Sequence, residues 1–465
     1  MLPDVALLKI FDFYLDDKGD GTKKGIEAWH MLAHVCRNWR NVVFASPRRL
    51  NLRLCTLEKT PVRATLDIWP LLPIFLDVFI GGLFDEETDN WDEDNIIAAL
   101  EHNNRVCGIN FSEFPTSRSE KFLPAMHRPF PALTCLNLDF VGNPTPVQPD
   151  SFLGGSASRL QTLKLNSIPF PGLPKLLLSA THLVVLSVIG IPHSGYFPPE
   201  AIVSALSVLT CLEKLTIGFH SPRSRPKRCL PPETRTVLPV LTELRFNGVD
   251  RYLEDLVARI DAPLLDTLSI AFLHQLIVNT PQLTRFISYT PMFKGQEEAY
   301  LGFTVVDVSV TLRQSCSGGL CLGIFYRDTD PQPFSAAQIY GSLFPQALIH
   351  AVEHLYIKSG WSPLPWRRGT AQNSEWLDLL RSFSSVRCLY LTWQFGPRIA
   401  PVLQELVGDR ATEALPALQT LFLEEADLSW AGPVWEAIGQ FVAARRLVGH
   451  PVAVSSWEYK QGSND

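Results

Sequence analysis

The 465-residue sequence predicts a mixed α/β protein with a helical N-terminal domain, a curved solenoid of strand-and-helix repeats, and a C-terminal helical cap. Three observations lead to this prediction. A short apolar frame recurs along most of the chain, and apolar side chains at both ends show helical spacing. In such a solenoid we expect parallel strands on the concave side and helices outside. The predicted domains are 1–48, 49–100 (a linker and an irregular first repeat), 101–430 (the solenoid) and 431–465 (the cap).

The recurring frame is an apolar residue, two other residues, a second apolar residue, one other residue and a third apolar residue. Its last step alternates as a strand does when one face is buried. The ten frames are Val106-Ile109-Phe111, Leu133-Leu136-Leu138, Leu160-Leu163-Leu165, Leu183-Leu186-Val188, Leu212-Leu215-Ile217, Leu241-Leu244-Phe246, Leu265-Leu268-Ile270, Val352-Leu355-Ile357, Val386-Leu389-Leu391 and Leu418-Leu421-Leu423.

The spacing of the frames is typical of leucine-rich repeats. Frames start 23 to 29 residues apart through Leu265, then 34 and 32 residues apart after Val352, and leucine-rich repeats run from about 20 to 29 residues. Helix-like stretches such as 175–180 and 201–208 lie between frames, so each unit leaves an apolar face that only its neighbours cover. A single α/β domain, with a parallel sheet and helices on both faces, is the alternative.

Two regions depart from the repeat. The frame blurs at 284–350, where we expect irregular or inserted units with strands at 303–312 and 320–326. The segment 433–447 has apolar residues at helical spacing and ends in Arg445-Arg446 before a glycine, which predicts a helix that caps the end of the array.

The first 48 residues contain two runs of helical spacing, joined by a polar connection that contains glycine. The ordered series is Leu2-Pro3, Leu7-Leu8-x-Ile10-Phe11, Leu15, Leu32-x-x-Val35-Cys36-x-x-Trp39-Arg40 and Pro47. This series resembles the F-box, and segments 60–75 and 451–458 are similar to fungal F-box proteins with degenerate leucine-rich repeats. The resemblance implies the substrate-recognition subunit of an SCF-type ubiquitin ligase. In that family the F-box helices bind a Skp-type adaptor of a cullin ligase core.

The resemblance also implies which residues contact the adaptor. They are Leu2, Pro3, Leu7, Leu8, Ile10, Phe11, Leu15, Val35 and Trp39. Because a helical unit this small lacks a secure core of its own, we expect its leucines to be covered mainly by another protein. Two alternatives stay open: a small helical cap on the first repeat that binds no adaptor, and an interaction scaffold whose F-box is vestigial.

Residues between the buried frame positions point to the opposite face of the strands, where we expect an unidentified target protein to bind. These candidates are Asn137, Asp139, Lys164, Asn166, Glu243, Arg245, Asn247, His354, Tyr356, Lys358 and Tyr390. An ordinary solvated sheet face is the alternative for any one of them.

Charge and composition exclude several classes of function. The net charge of −6 argues against nucleic-acid binding, and no apolar segment is long enough to span a membrane. Nine scattered cysteines predict reduced, buried thiols in the cytoplasm or nucleus. An acidic run at 84–95 and a basic run at 220–235 read as exposed loops, the second alternatively as a nuclear import signal or a contact for an acidic target.

The sequence lacks the marks of an enzyme. The pairs His30/His34 and His350/His354 have metal-ligand spacing without a correctly placed glutamate, and no phosphate-binding loop or nucleophile elbow is present. We therefore expect no cofactor, no metal and no catalytic residue, although a site assembled from distant residues is not excluded by missing motifs.

Overall fold

The computed structural model describes residues 3–16, 31–46, 54–56, 62–63, 66, 72–79, 93–142, 146–220, 235–273, 280–304, 307–313, 318–325, 336, 344–359, 373–424 and 432–457. The chain divides into two compact units, residues 1–220 and 221–465. The boundary falls inside the predicted solenoid, at the start of the basic run.

The first unit contains a sheet in which each described strand pairs in parallel with the next strand along the chain. Its strands are β1 (Leu54–Thr56), β2 (Ile74–Phe79), β3 (Val106–Pro115), β4 (Cys135–Val141), β5 (Thr162–Asn166), β6 (Val185–Ile191) and β7 (Lys214–Phe219). Five of these strands contain the predicted frames. The first two lie in the segment that the sequence predicted as a linker and irregular repeat.

The frame leucines of this unit are in register with one another. Leu163 of β5 is the pairing partner of Leu136 on one side and of Leu186 on the other, and all three are buried. Parallel pairing of equal frames therefore places each leucine beside its equivalent, in one continuous apolar layer. The predicted strand positions are confirmed here, and the register is a finding of the structure.

Short helices return the chain between strands, and proline often begins them because it needs no intrahelical donor at the first turn. The described helices of this region are Glu93–Glu101, Thr116–Phe122, Leu173–Leu177 and Pro199–Leu206. The helix Glu93–Glu101 starts inside the acidic run, so that end of the run is helical and not a loop. Residues 84–92 of the run lie outside the described residues.

The N-terminal segment forms helices at Asp4–Asp16, 31–35 and Arg37–Ala45. The carbonyl oxygen of Pro3 accepts from the amides of Ala6 and Leu7, and the Cys36 sulfur accepts from the Trp39 amide at the start of the third helix. Pro3 and Cys36 thus accept hydrogen bonds from first-turn amides, and each residue marks the start of a helix.

The apolar core of this segment, here called the N-terminal cluster, is covered by the chain itself. It contains Leu7, Leu8, Phe11, Leu32, Ala33, Val42, Val43 and Leu72, with Tyr14, Trp39, Phe44 and Leu66 packed against it. The expectation that another protein covers Leu7 and Leu8 is therefore wrong. The physical reason is that the helices pack on each other and on residues beyond position 48, including Leu72.

The second unit has a sheet of mixed direction. Its strands are β9 (Glu243–Gly248), β11 (Thr267–Leu273), β12 (Glu298–Phe303), β13 (Asp307–Arg313), β14 (Gly319–Phe325), β15 (His354–Ser359), β16 (Cys388–Leu391), β17 (Thr420–Glu424) and β18 (Ala453–Trp457). A separate two-stranded parallel sheet joins β8 (Thr236–Val237) to β10 (Ile260–Asp261).

An inserted unit interrupts the repeats between β11 and β15. Strand β14 pairs in parallel with β11, β13 pairs antiparallel with β14 and β12, and β12 pairs in parallel with β15. The order across the sheet is therefore the reverse of the order along the chain. These antiparallel pairings lie within 284–350, where irregular or inserted units were expected. The single strand predicted at 303–312 is wrong, because Phe303 ends β12 and β13 starts at Asp307.

The helices of the second unit are Asp250–Val257, Pro281–Tyr289, Gln346–Ile349, Asn373–Arg381, Gly396–Gln404 and Pro433–Leu447. The last of these has the predicted bounds, and Arg445 near its end is fully buried. The Arg445 guanidinium donates to the carbonyl oxygens of Ala411, Pro416, Leu418 and His450. These bonds hold the helix against the loop that precedes β17. The sequence predicted only that a basic residue suits the C-terminal end of a helix.

Two further expectations are tested by the described residues. The six cysteines whose side chains are described, Cys36, Cys107, Cys135, Cys211, Cys321 and Cys388, are exposed or partly exposed, so the expectation of buried thiols is wrong for this part of the chain. No helix among the described residues is long and apolar enough to cross a membrane.

Candidate protein-binding surfaces

Four aromatic side chains stack across the sheet of the second unit. Tyr300, Tyr356, Tyr390 and Phe422 are pairing partners on β12, β15, β16 and β17. Successive ring centroids are 4.4, 4.2 and 4.5 Å apart, with interplanar angles of 8°, 12° and 4°. We call these four residues the aromatic row.

The aromatic row follows from the repeat frame. Each of its residues directly precedes a buried frame or strand residue, such as Ile357 after Tyr356 and Leu391 after Tyr390. Alternation therefore turns the rings to the face opposite the core. The ring spacing is close to the roughly 4.8 Å between neighbouring strands, so the rings stack without distortion of the sheet.

Trp457 of β18 packs against the side of the aromatic row. Its ring centroid is 5.3 Å from that of Tyr390 in an edge-on arrangement, and 6.0 Å from that of Tyr356. Its indole nitrogen donates to the carbonyl oxygen of Leu391 at 3.4 Å. The stacking hides the ring faces from each other, so the ring edges and hydroxyl groups form the surface available to a partner.

Two cations lie against the first ring of the row. The Lys358 ammonium is 4.9 Å and the Arg313 guanidinium carbon 5.8 Å from the Tyr300 ring centroid, within the range of cation–π attraction. The Tyr300 hydroxyl donates to Glu298 Oε2 at 2.9 Å. The aromatic row thus ends beside two positive charges.

Burial shapes the ionisation of this surface. It raises the pKa values of the Tyr300 and Tyr356 phenols far above the ordinary range, so both rings stay neutral at physiological pH. Burial also lowers the pKa of Lys358, and the nearby Arg313 charge lowers it further. The surface therefore combines neutral aromatic groups with a partly desolvated ammonium.

His354 and Cys388 are pairing partners at the edge of the row. The Tyr390 hydroxyl lies 3.4 Å from His354 Nδ1, and burial raises the pKa of the Cys388 thiol. A raised thiol pKa disfavours the nucleophilic thiolate. Among the described residues no group of three or more His, Cys, Asp or Glu side chains has metal-binding geometry.

Three of the four candidates of the first unit form side-chain hydrogen bonds with neighbouring strands. Asn137 Nδ2 donates to Asn110 Oδ1 at 2.6 Å, and Asn110 Nδ2 donates to Asp77 Oδ1 at 2.7 Å. Asn166 Nδ2 donates to Asp139 Oδ1 at 2.7 Å. These amide ladders cross adjacent strands and use much of the hydrogen-bonding capacity that the sequence suggested for a target, whereas Lys164 is exposed.

The three candidates on β9 do not join the aromatic row. Glu243 and Arg245 form an ion pair with each other. Asn247 Oδ1 is buried and has no hydrogen-bond partner within the described residues. Two residues apart on one strand, Glu243 and Arg245 share a face and satisfy each other's charge.

The predicted adaptor-binding residues divide into buried and exposed groups. Leu7, Leu8 and Phe11 are buried, and Trp39 packs its ring edge-on against Phe11 with centroids 4.9 Å apart. Pro3, Ile10 and Val35 are exposed. Leu2 and the Leu15 side chain lie outside the described residues. Of the described members of this set, Pro3, Ile10 and Val35 are therefore accessible from outside, whereas Leu7, Leu8 and Phe11 are part of the N-terminal cluster.

Other exposed apolar residues of this segment were not selected from the sequence. Together with Ile10 and Val35, they make up what we call the N-terminal apolar set: Val5, Ile10, Phe13, Met31 and Val35, which are 64%, 45%, 76%, 65% and 58% exposed. On the first helix, Val5, Ile10 and Phe13 lie on the side opposite Leu7, Leu8 and Phe11. That helix is therefore apolar on two sides. Helical spacing alone identified the buried side and not the second one.

The aromatic row was also only partly found from the sequence. Tyr356 and Tyr390 were selected, but Phe422 occupies the same frame position and was overlooked. Aligning the frames identifies it. Tyr300 lies in the inserted unit and Trp457 on a strand that the sequence analysis did not predict, so their place beside the row depends on long-range pairing.

Comparison with known proteins identifies no family. No protein-family model matches the sequence, and no curated protein is significantly similar to it. Among solved structures, the chain is similar to the leucine-rich repeat-containing protein LegL7 from Legionella pneumophila, with 14% identity and a TM-score of 0.25. That match covers 84% of this chain and 96% of the other. So low a TM-score does not establish a shared fold, and the repeat architecture rests on the strand register described above.

Proposed function

We propose that the chain is a non-catalytic interaction protein that acts as the substrate-recognition subunit of an SCF-type ubiquitin ligase in the cytoplasm or nucleus. The N-terminal helical segment binds a Skp-type adaptor, the strand faces bind a target protein, and a separate enzyme of the cullin ligase core delivers ubiquitin. Rigid strands suit this role because they hold the target in a defined position.

The aromatic row is the observation that carries the target-binding half of the proposal. Aromatic and cationic side chains concentrate binding energy at protein interfaces because they bury much area at low entropic cost. The row places four such rings on strands, with Lys358 and Arg313 against the ring of Tyr300, so the positions of these rings are set before any partner arrives.

The N-terminal apolar set supports the adaptor-binding half. Its five large side chains are exposed on helices whose other side is anchored in the N-terminal cluster. Exposed apolar groups on a folded helix are typical of a protein-binding surface.

The adaptor-binding half is tested with the full-length chain and a purified Skp-type adaptor. We expect micromolar or tighter binding by calorimetry, and its loss in the variant Ile10→Asp/Val35→Asp. The matched control is Val407→Asp, since Val407 is similarly exposed, at 50%, outside this segment. Failure of the unmodified chain to bind the adaptor rules out the ligase assignment.

The alternative is an interaction scaffold with a vestigial F-box, and the internal roles of the motif residues favour it. Cys36 caps a helix, Arg40 Nε donates to the Ala33 carbonyl oxygen at 3.0 Å, and Trp39 packs on Phe11. Under this alternative, partners captured through the aromatic row are unaffected by Ile10→Asp/Val35→Asp and no adaptor accompanies them.

A further inference from the structure

Lys358 and Arg313 form a concentration of positive charge on the strand face. Both approach the ring of Tyr300, and within the described residues neither forms an ion pair. Glu298 is the carboxylate on the same strand as Tyr300, and it accepts the Tyr300 hydroxyl proton in a hydrogen bond. Glu298 is also the cross-strand pairing partner of Arg313, but among the described residues no carboxylate lies within ion-pair distance of Arg313 or Lys358.

The position of Lys358 makes this lack costly. Its side chain is partly buried beside the aromatic row, where an ammonium loses hydration and gains only the attraction of the ring. The lowered pKa of Lys358, caused first by burial and then by Arg313, reflects that cost. A carboxylate from outside would restore the missing interaction for both cations.

Small residues lie next to Lys358 on the sheet. Along the sheet, Lys358 pairs with Gly302, Gly302 with Ser309, and Ser309 with Gly323. A Cβ at Gly302 would lie 2.7 Å from the Ser309 hydroxyl oxygen, so that hydroxyl fills the space directly above Gly302. No side chain larger than serine stands at these three positions beside Lys358.

The spacing along β15 limits the shape of the ligand. Tyr356 and Lys358 are two residues apart on one strand, so their side chains emerge from one face roughly 7 Å apart. An extended peptide presents its residues i and i+2 on one side at the same spacing. One of these side chains then meets the ring edges of the aromatic row and the other meets Lys358.

We infer that the aromatic row, Lys358 and Arg313 bind an extended segment of the target protein in which an Asp or Glu lies two positions from an apolar side chain. The carboxylate pairs with Lys358 and Arg313, and the apolar group packs on Tyr356 and Tyr390. This inference rests on the proposed target-binding function and specifies what that surface recognises.

The test uses the immobilised full-length chain and a random-peptide phage library. Selected sequences are synthesised, labelled and titrated by fluorescence anisotropy against the unmodified chain and the variants Lys358→Met, Tyr356→Leu and Lys294→Met. Lys294 is the matched control, because it is an exposed lysine of the second unit that does not belong to the candidate target-binding residues. Circular dichroism and the thermal midpoint establish that each variant is folded.

We expect selected peptides to share an acid two positions from an apolar residue. Their affinity should fall about tenfold or more for Lys358→Met and for Tyr356→Leu, and should not change for Lys294→Met. Raising the salt concentration should weaken binding to the unmodified chain and have a smaller effect on binding to Lys358→Met.

Two results overturn the inference, and they are distinguishable. Peptides that require Tyr356 but bind Lys358→Met with unchanged affinity refute the acidic motif and leave target binding by the aromatic row intact. Peptides that bind Tyr356→Leu and Lys358→Met as well as the unmodified chain, or a failure to select any peptide, refute target binding by this surface as well.

Discussion

The ring of Tyr356 stacks on the ring of Tyr390 at a centroid distance of 4.2 Å and an interplanar angle of 12°. The two residues are pairing partners on neighbouring parallel strands, 34 positions apart in the sequence and at the same place in the repeat frame. One register relationship thus creates both a stabilising contact and part of the candidate binding surface.

Tyr390→Ala should destabilise the protein because it removes the stacking of Tyr390 on both Tyr356 and Phe422. Aromatic pairs contribute about 0.5–1.5 kcal/mol each, so we expect a loss of about 1–3 kcal/mol in the free energy of urea unfolding. Tyr390→Phe keeps both stacks and should cost less than about 1 kcal/mol. Equal losses in the two variants would show that the hydroxyl and not the stacking matters.

Leu163→Ala should be strongly destabilising because Leu163 is fully buried between Leu136 and Leu186 on the adjoining strands. Removal of a buried leucine side chain costs roughly 2–5 kcal/mol, measured here as the shift in urea unfolding. Leu178→Ala is the control, since Leu178 is half exposed on the same unit. A similar cost at both positions would contradict the continuous apolar layer.

Arg445→Met should loosen the final helix because it leaves four carbonyl oxygens without their donor. One unsatisfied buried acceptor costs about 1–3 kcal/mol. Because the loop and the helix end relax once the guanidinium is removed, we expect the four carbonyls together to cost about 2–4 kcal/mol of unfolding free energy. Amide hydrogen exchange of 433–447 should rise in parallel.

Arg446→Met is the matched control for that variant, because Arg446 is the exposed neighbour on the same helix. Its effect should stay within about 0.5 kcal/mol. Arg445→Lys should not restore stability, since one ammonium does not reproduce the planar set of guanidinium donors. Full rescue by lysine would mean that charge alone is required.

Glu254 should make stability depend on pH. Its carboxylate accepts from the amides of Gln282 and Leu283 and so caps the helix Pro281–Tyr289. Burial nevertheless raises the pKa of Glu254, against the opposing effect of these two hydrogen bonds. A raised folded-state pKa means that the folded chain binds the proton more tightly than the unfolded chain does.

The stability contributed by this tighter proton binding is complete below the unfolded glutamate pKa of about 4.3 and is lost as pH rises through the raised folded value. Relative to Glu254→Gln, the unmodified chain should therefore lose unfolding free energy as pH increases across that window. If the unfolding free energy of the unmodified chain instead rises relative to that of Glu254→Gln as the pH increases, the effect of burial on the Glu254 pKa is contradicted.

The repeat could be predicted from the sequence because its signal is local. A frame such as Leu160-Leu163-Leu165 reports which face of a strand is buried, and equal frames imply equal register. The helix Pro433–Leu447 was predicted for a similar reason, since apolar spacing, proline and the basic end all lie within a few turns.

The inserted unit was harder to predict because pairing order is not local. The alternation in 298–303, 307–313 and 319–325 allows several arrangements, and only the finished sheet places β14 beside β11 and β12 beside β15. Tyr300 joins the aromatic row through that reversal. No pattern within β12 indicates its neighbours.

The sequence by itself determined where the repeat strands lie, which side chains they bury and which frame positions share a row. The tertiary structure decided that Leu7 and Leu8 are covered by the chain itself, that Ile10 and Val35 stay exposed, and that Lys358 lies beside Tyr300. The reason is that sequence periodicity specifies only which face of one helix or strand is buried. Whether a side chain is covered, or a lysine meets a ring, depends on contacts between segments that are far apart in the chain.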